Sequence, residues 1–192
     1  MSSGDPIEIF LRASARAAER GVDTAPVALA TADAGGRPSV RMVLIRHVDA
    51  RGFVFHTNYD SRKAADLASN PRAALCFHWV ALEEQIRVEG AVERLEAAES
   101  DAYFATRARG SQIGAWASAQ SAELPSRETL QDRVREAAQR FEGHPVPRPA
   151  FWGGFRLIPD RIEFWTGRPD RLHERVVFVR DRDTWRRVVL YP

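Results

Sequence analysis

The turns of this chain constrain its fold more than any other feature. Nine short runs of strand-forming residues, at 27–31, 39–48, 53–57, 72–80, 85–93, 155–158, 161–166, 176–180 and 185–190, are broken by turn residues such as Gly35-Gly36 and Gly52. Helical stretches at about 5–20, 97–107 and 126–141 stand between groups of these runs and do not alternate with them. A parallel dinucleotide-binding sheet needs that alternation and a G-x-G-x-x-G turn leading from a strand into a helix. The chain has neither, since Gly153-Gly154 precedes a strand. The pattern predicts a mainly β protein with appended helices (α+β), built on an antiparallel barrel. No repeat or shift of composition divides it, so a single domain over 1–192 is expected, with its last strands at about 153–192. Asp5 is a helix cap, Pro6 suits the first turn, Glu8 completes a capping box, and Gly21 is the terminator. Ser126, three residues before Thr129, caps the last helix.

Composition narrows the function classes. A net charge of +2 argues against a general nucleic-acid binder. No run approaches the roughly 20 apolar residues of a membrane-spanning helix, and the N-terminus lacks the basic-then-apolar pattern of a secretory signal. A cytoplasmic location is expected. Cys76 is the only cysteine, which excludes an internal disulfide and a cysteine-cluster metal site, and the five scattered histidines predict no metal. Lys63 is the only lysine, so any lysine-specific chemistry must occur there.

Four segments concentrate polar groups at element ends. Arg41-Met-Val-Leu-Ile-Arg46 is an apolar strand with arginine at both ends; these can hold anions or simply snorkel to water. Ser61-Arg62-Lys63-Ala64 places a hydroxyl, two cations and free N–H groups at a helix start, which suits a phosphate and equally describes a solvated helix end. Tyr103, Arg107 and Ser111 recur every fourth residue and would share one face if a single helix ran through them, forming a second phosphate cradle or an exposed face. Arg171-Leu-His-Glu-Arg175, if extended, would put Arg171, His173 and Arg175 on one side, where three cations call for an anion between them. No H-E-x-x-H, G-x-S-x-G or defensible carboxylate pair is present. Many anion sites and few acid–base groups are what a chain shows when a bound cofactor carries the chemistry.

Taken in order, Arg41-Met-Val-Leu, Thr57-Asn58, Ser61-Arg-Lys-Ala, Asn70-Pro71, Gln85, Gly90, Ser111-Gln-Ile-Gly-Ala-Trp116, Gln120-Ser121, Phe151-Trp-Gly-Gly-Phe155, Glu163-Phe-Trp165 and Arg171-Leu-His-x-Arg175 resemble the pyridoxamine 5′-phosphate oxidase family over almost the whole chain. The resemblance implies a split β-barrel that forms a homodimer with FMN at the subunit interface. It implies FMN contacts at Arg41, Met42, Val43, Leu44, Ile45, Arg46, His56, Thr57, Arg62, Lys63, Gln85, Gln120, Ser121, Trp165 and Arg175. The substrate phosphate would lie on Arg46, Tyr103, Arg107 and Ser111, and its ring against Arg171 and His173, the two residues expected to orient the reacting carbon. The implied reaction oxidises pyridoxamine or pyridoxine 5′-phosphate to pyridoxal 5′-phosphate and reduces O2 to H2O2.

The chain departs from the family in three places. Arg46 stands where lysine is usual, His56 where tyrosine is common, and the chain begins close to its first helix, without the extension that can cover the substrate in relatives. Arg41 and Arg46 also have opposite parity on a regular strand, which a bulge or two-sided ligand approach must resolve. Rival readings are a phenazine-biosynthesis flavin oxidase on the same fold, a deazaflavin-dependent reductase, and a non-catalytic flavin- or pyridoxal-phosphate-binding protein.

Overall fold

In the computed structural model, which describes residues 4–192, helix α1 (Pro6–Glu19) begins where Asp5 accepts the Ile7 N–H at 2.8 Å. The expected capping box does not form. Glu8 turns instead to Arg12, one turn on at 3.5 Å, where an exposed ion pair competes with the reach back to the cap. Gly21, with φ of +77°, ends the helix. Ile7, Phe10, Ala13 and Ala17 follow the three-and-four spacing of one helical stripe, and all four are buried.

Eight strands follow: β1 (Pro26–Ala32), β2 (Pro38–Asp49), β3 (Gly52–Asn58), β4 (Arg72–Trp79), β5 (Glu84–Arg94), β6 (Trp152–Thr166), β7 (Glu174–Asp181) and β8 (Thr184–Leu190). All neighbours are antiparallel, in the order β3-β2-β1-β4-β5-β6-β7-β8, and β3 also pairs with β6. That last pairing closes six strands into a barrel and leaves β7 and β8 as an extension. The runs expected at 155–158 and 161–166 are one 15-residue strand. Its Pro159 sits at a register shift opposite Gly90, where no ladder N–H is required of it. A Cβ on Gly90 would overlap the Ile158 carbonyl oxygen. Gly90→Ala is therefore expected to destabilise the fold by about 1–3 kcal/mol, as overpacking does; an unchanged urea midpoint would show that the bulge relaxes instead.

The barrel is filled by Leu29, Phe53, Phe55, Leu75, Phe77, Ile86 and Leu157 and plugged by α1, whose Phe10 ring lies 4.9 Å from both Phe53 and Phe77. Helix α2 (Arg62–Ser69) follows β3, and α3 (Ala97–Thr106), α4 (Arg109–Ala117) and α5 (Arg127–Arg140) fill the long β5–β6 connection. Phe104, Ile113, Phe141, Val146 and Trp152 form a second core beneath those three helices. Buried Arg156 on β6 ties the layers together through Asp49 at 2.7 Å and Glu99 at 3.2 Å. No helix among the described residues is long and apolar enough to cross a membrane.

Candidate functional site

β6 works in two halves, and the candidate residues divide with it. Residues 152–157 pair with β3, whereas residues 161–166 pair with β7. His56 lies opposite Gly154 and Gln85 opposite Trp165, eleven residues further along the strand. At roughly 3.3 Å per residue that is about 35 Å of strand contour. The structure thus brings the residues into two separate regions.

The first region surrounds the start of α2 and the end of β3. Lys63 Nζ lies 3.1 Å from Thr57 Oγ1, 3.2 Å from Ser61 Oγ and 2.8 Å from Gln120 Oε1. The Arg62 N–H donates to Ser121 Oγ, and Ser121 holds a left-handed φ of 73°. Such strain in a residue other than glycine persists only where its surroundings impose it. Arg41 donates to Thr31 Oγ1 at 2.6 Å and Ser39 Oγ at 2.7 Å, and lies 3.7 Å from Asp66. Burial foremost and the neighbouring Arg41 charge bring the Lys63 pKa down to about 8. Arg41, Arg62 and Lys63 together carry more positive charge than Asp66 offsets, and a cluster of this kind could hold a phosphate.

Beside this cluster a cleft of about 530 Å³ is lined by Met42, Val43, Leu44, Arg46, Tyr103, Arg107, Ser111 and Gln120. Ile45 does not reach it: its side chain is buried in the barrel and its N–H donates to Ala25. The expected 103–107–111 helical stripe is also corrected. α3 ends at Thr106, Arg107 is extended (φ −72°, ψ 147°), and Ser111 belongs to α4. The three residues still converge, because the break folds α4 back over the cleft. Arg41 and Arg46 do stand on opposite faces: alternation is regular from Arg41 to Ile45, and Arg46 is itself the extra residue at the register shift between Ile45 and His47. Arg41 serves the α2 end and Arg46 the cleft.

Arg107 carries a buried nitrogen, NH1, with no hydrogen-bond partner, and its guanidinium lies 4.7 Å from the Trp152 ring. A buried guanidinium nitrogen left without an acceptor is costly unless a ligand supplies one, and the rest of Arg107 is only half-buried. His56 stacks on Tyr103 at 4.0 Å and Trp152 at 5.3 Å, and both its ring nitrogens are also unpartnered. Burial first, then the Arg107 and Arg46 charges, lower its pKa to about 4. An unfolded histidine titrates near 6.5, so between that pH and about 4 the unfolded chain takes up a proton that the folded one refuses. Stability should fall as pH drops through this window. His56→Phe should lose less stability than the parent between pH 7 and pH 4.5 in urea unfolding, and an identical loss would remove His56 as the cause.

The second region crosses three strands. Gln85, Trp165 and Arg175 stand side by side on β5, β6 and β7. The face expected for Arg171, His173 and Arg175 is not extended. Asp170 and Arg171 are left-handed, with φ of 55° and 61°, so a tight turn separates Arg171 from the strand. His173 lies 4.6 Å from the Trp165 ring and accepts the Arg168 N–H. Arg175 is turned toward Glu163, donating through Nε at 2.8 Å, and toward the Tyr191 carbonyl at 3.1 Å.

Sequence reasoning missed the roles of Trp152 and Glu163. Trp152 is the floor under His56 and Arg107. Glu163 is a buried carboxylate that also engages Arg87 and, at 3.3 Å, Arg161. A lone acid between apolar neighbours in Ile162-Glu-Phe-Trp165 was the available signal for the second. No group of three or more potential metal ligands occurs among the described residues.

Comparison with known proteins adds to this geometry. Residues 16–141 match the family described as pyridoxamine 5′-phosphate oxidase, and residues 152–192 match the pyridoxine 5′-phosphate oxidase C-terminal dimerisation region. A pyridoxine/pyridoxamine 5′-phosphate oxidase of Anaeromyxobacter dehalogenans is 60% identical over 98% of this chain and 96% of its own length. One from Myxococcus xanthus is 53% identical over 98% of this chain and 92% of its own. Among solved structures, PhzG from Burkholderia lata in complex with tetrahydrophenazine-1-carboxylic acid superposes with a TM-score of 0.94 at 34% identity, covering 100% of this chain and 94% of that one. A pyridoxamine 5′-phosphate oxidase-related, FMN-binding protein from Nostoc punctiforme shares the fold, with a TM-score of 0.78 at 16% identity over 99% of this chain and 100% of its own.

Proposed function

The chain belongs to the pyridoxamine 5′-phosphate oxidase family, and from that premise we propose that it is an FMN-dependent oxidase converting pyridoxamine or pyridoxine 5′-phosphate to pyridoxal 5′-phosphate. The observation that carries the choice of substrate is the unpartnered buried NH1 of Arg107 in a cleft shared with Arg46, Tyr103 and Ser111. Two guanidiniums, a phenol and a hydroxyl suit a phosphate dianion. Arg41, Arg62 and Lys63 at the start of α2 suit the phosphate of FMN, so one chain offers two separate anion cradles.

When bound, FMN would supply the two-electron acceptor for the substrate's 4′ carbon, with O2 as the terminal oxidant and H2O2 as its reduced product. The protein's residues bind and orient. Arg46, Tyr103, Arg107 and Ser111 hold the substrate phosphate, and that grip fixes the register of the ring. His56 and Trp152 wall the cleft with flat, uncharged surfaces. Arg171 and His173 meet the pyridine ring, and Gln85, Trp165 and Arg175 meet the flavin. These last five lie in the second region, too far along β6 to join the first within one chain. We therefore read the site as assembled from two copies, each contributing one region, and residues 1–192 as a single unit whose β6 spans both. The match to a dimerisation region and the exposed Val40, Met42 and Leu44 on the outer face of β2 support this reading.

The purified protein should be yellow, bleach when pyridoxine 5′-phosphate is added, and recover in air with peroxide released. A colourless protein that gains no flavin would overturn the proposal. Sedimentation should find a dimer, and a monomer retaining stoichiometric FMN would remove the shared site. Lys63→Ala should weaken FMN binding about tenfold, toward the low end for hydrogen bonds to charged groups because Arg41 and Arg62 remain; unchanged affinity in a fluorescence titration would take Lys63 out of the site.

The likeness to PhzG favours a second reading, oxidation of a tricyclic carboxylic acid. Such a substrate has no phosphate and leaves the Arg107 cradle unused. Turnover of tetrahydrophenazine-1-carboxylic acid in preference to pyridoxine 5′-phosphate would select it.

A further inference from the structure

We propose that Lys63 is a covalent capture site for pyridoxal 5′-phosphate in the flavin-free protein, its Nζ condensing with the aldehyde to form an imine. The identity of the aldehyde rests on the function proposed above. Such capture needs an uncharged amine, a grip for the phosphate within one molecule's length of it, and few competing amines.

Lys63 meets each requirement. Its three hydrogen-bond partners, Thr57 Oγ1, Ser61 Oγ and Gln120 Oε1, are all neutral oxygens, so none of them holds the proton on Nζ as a carboxylate would. Partial burial and the Arg41 charge act in the same direction and bring the pKa to about 8 from 10.5. At pH 7 this leaves about a tenth of the amine uncharged, on the order of 300 times the fraction for an ordinary lysine. Lys63 lines the same cleft as Arg46, Tyr103, Arg107 and Ser111. Gln120, 2.8 Å from Nζ, also lines a smaller recess with Arg107 and Ser111, so the Gln120 side chain lies between the amine and the phosphate grip. No other lysine exists in the chain to compete.

The step balances without an oxidant or reductant. The Nζ lone pair attacks the aldehyde carbon, a C–N bond forms, the carbonyl oxygen leaves as water, and the Thr57 and Ser61 hydroxyls beside Nζ can pass the protons. Lys63 also belongs to the cation cluster assigned to the FMN phosphate. Capture and flavin binding therefore exclude each other, and accumulated aldehyde would slow cofactor loading.

The test incubates flavin-free full-length protein with pyridoxal 5′-phosphate, reduces it with borohydride, and maps the adduct by mass spectrometry. The expected result is stoichiometric labelling of the Lys63 peptide, at least tenfold less label after preloading with FMN, and only background label on the α-amine in Lys63→Arg. Unphosphorylated pyridoxal should label at least tenfold less, because it lacks the grip at Arg107. Label confined to the α-amine, or label at Lys63 that FMN does not suppress, overturns the proposal. Peroxide release from pyridoxine 5′-phosphate by the FMN-loaded protein is measured in parallel. Normal turnover without Lys63 labelling sinks the capture alone; labelling without turnover sinks the oxidase reading and leaves the capture standing.

Discussion

Glu163→Gln should lower the unfolding free energy by about 3 kcal/mol. Removing one member of a buried ion pair costs about 3–5 kcal/mol, because the remaining charge loses its partner without regaining water. The Glu163 side chain is 2% exposed, whereas Arg87 and Arg175 keep 38% and 26% of theirs, so the stranded cations stay partly hydrated and the lower figure applies. Burial alone would raise the Glu163 pKa, yet the hydrogen bonds from Arg175 and Arg87, and then their charges, hold it below the usual carboxylate range. The folded carboxyl is thus more acidic than the unfolded one, which titrates near 4.3. Its stabilisation is complete above that value and is lost as pH falls below it. Urea unfolding of flavin-free protein at pH 7 measures the effect. A loss under 1 kcal/mol would mean that the three arginines find other acceptors.

Arg107→Ala should raise the Michaelis constant for pyridoxine 5′-phosphate about tenfold to a hundredfold, since a hydrogen-bonded contact to a charged group contributes roughly 1.5–3 kcal/mol. The loss should fall on KM more than on kcat, because a phosphate remote from the reacting carbon is held in ground and transition states alike. Some fall in kcat is expected where the phosphate also sets the ring's register. Unphosphorylated pyridoxine is the control: the parent should use it poorly, and the variant hardly worse. Equal losses on both substrates would assign Arg107 to the fold or the flavin and move the phosphate site elsewhere. Stability gives a second check, because NH1 is buried without a partner. Removing an unsatisfied donor offsets part of the packing lost over Trp152, so the variant should stay folded.

Much of this was legible along the chain because local rules set it. Strand positions follow from alternating burial and turn residues, and every strand of the barrel lies within a residue or two of its expected run, apart from the merged β6. Asp5 and Ser126 cap their helices as their residue types require. The candidate site residues carry chemistry-specific types in a specific order, which is why family membership could be read from them before any fold was known. Three features escaped, each because it depends on contacts far apart in sequence. The stripe through Tyr103, Arg107 and Ser111 assumed a continuous helix, yet the helix breaks at Arg107, where packing over Trp152 outweighs helical propensity. The turn at Asp170-Arg171 has a local cue only in Pro169-Asp170; nothing in the residue type of Arg171 calls for the left-handed φ that its surroundings impose. Residue spacing carries no distance between His56 and Trp165; that separation exists only because β3 and β7 pair with opposite halves of β6. Residue order thus determined which groups are available for phosphate and ring recognition. Strand pairing alone decided that they stand in two regions, because hydrogen-bond register is a property of strands brought together and not of any one of them.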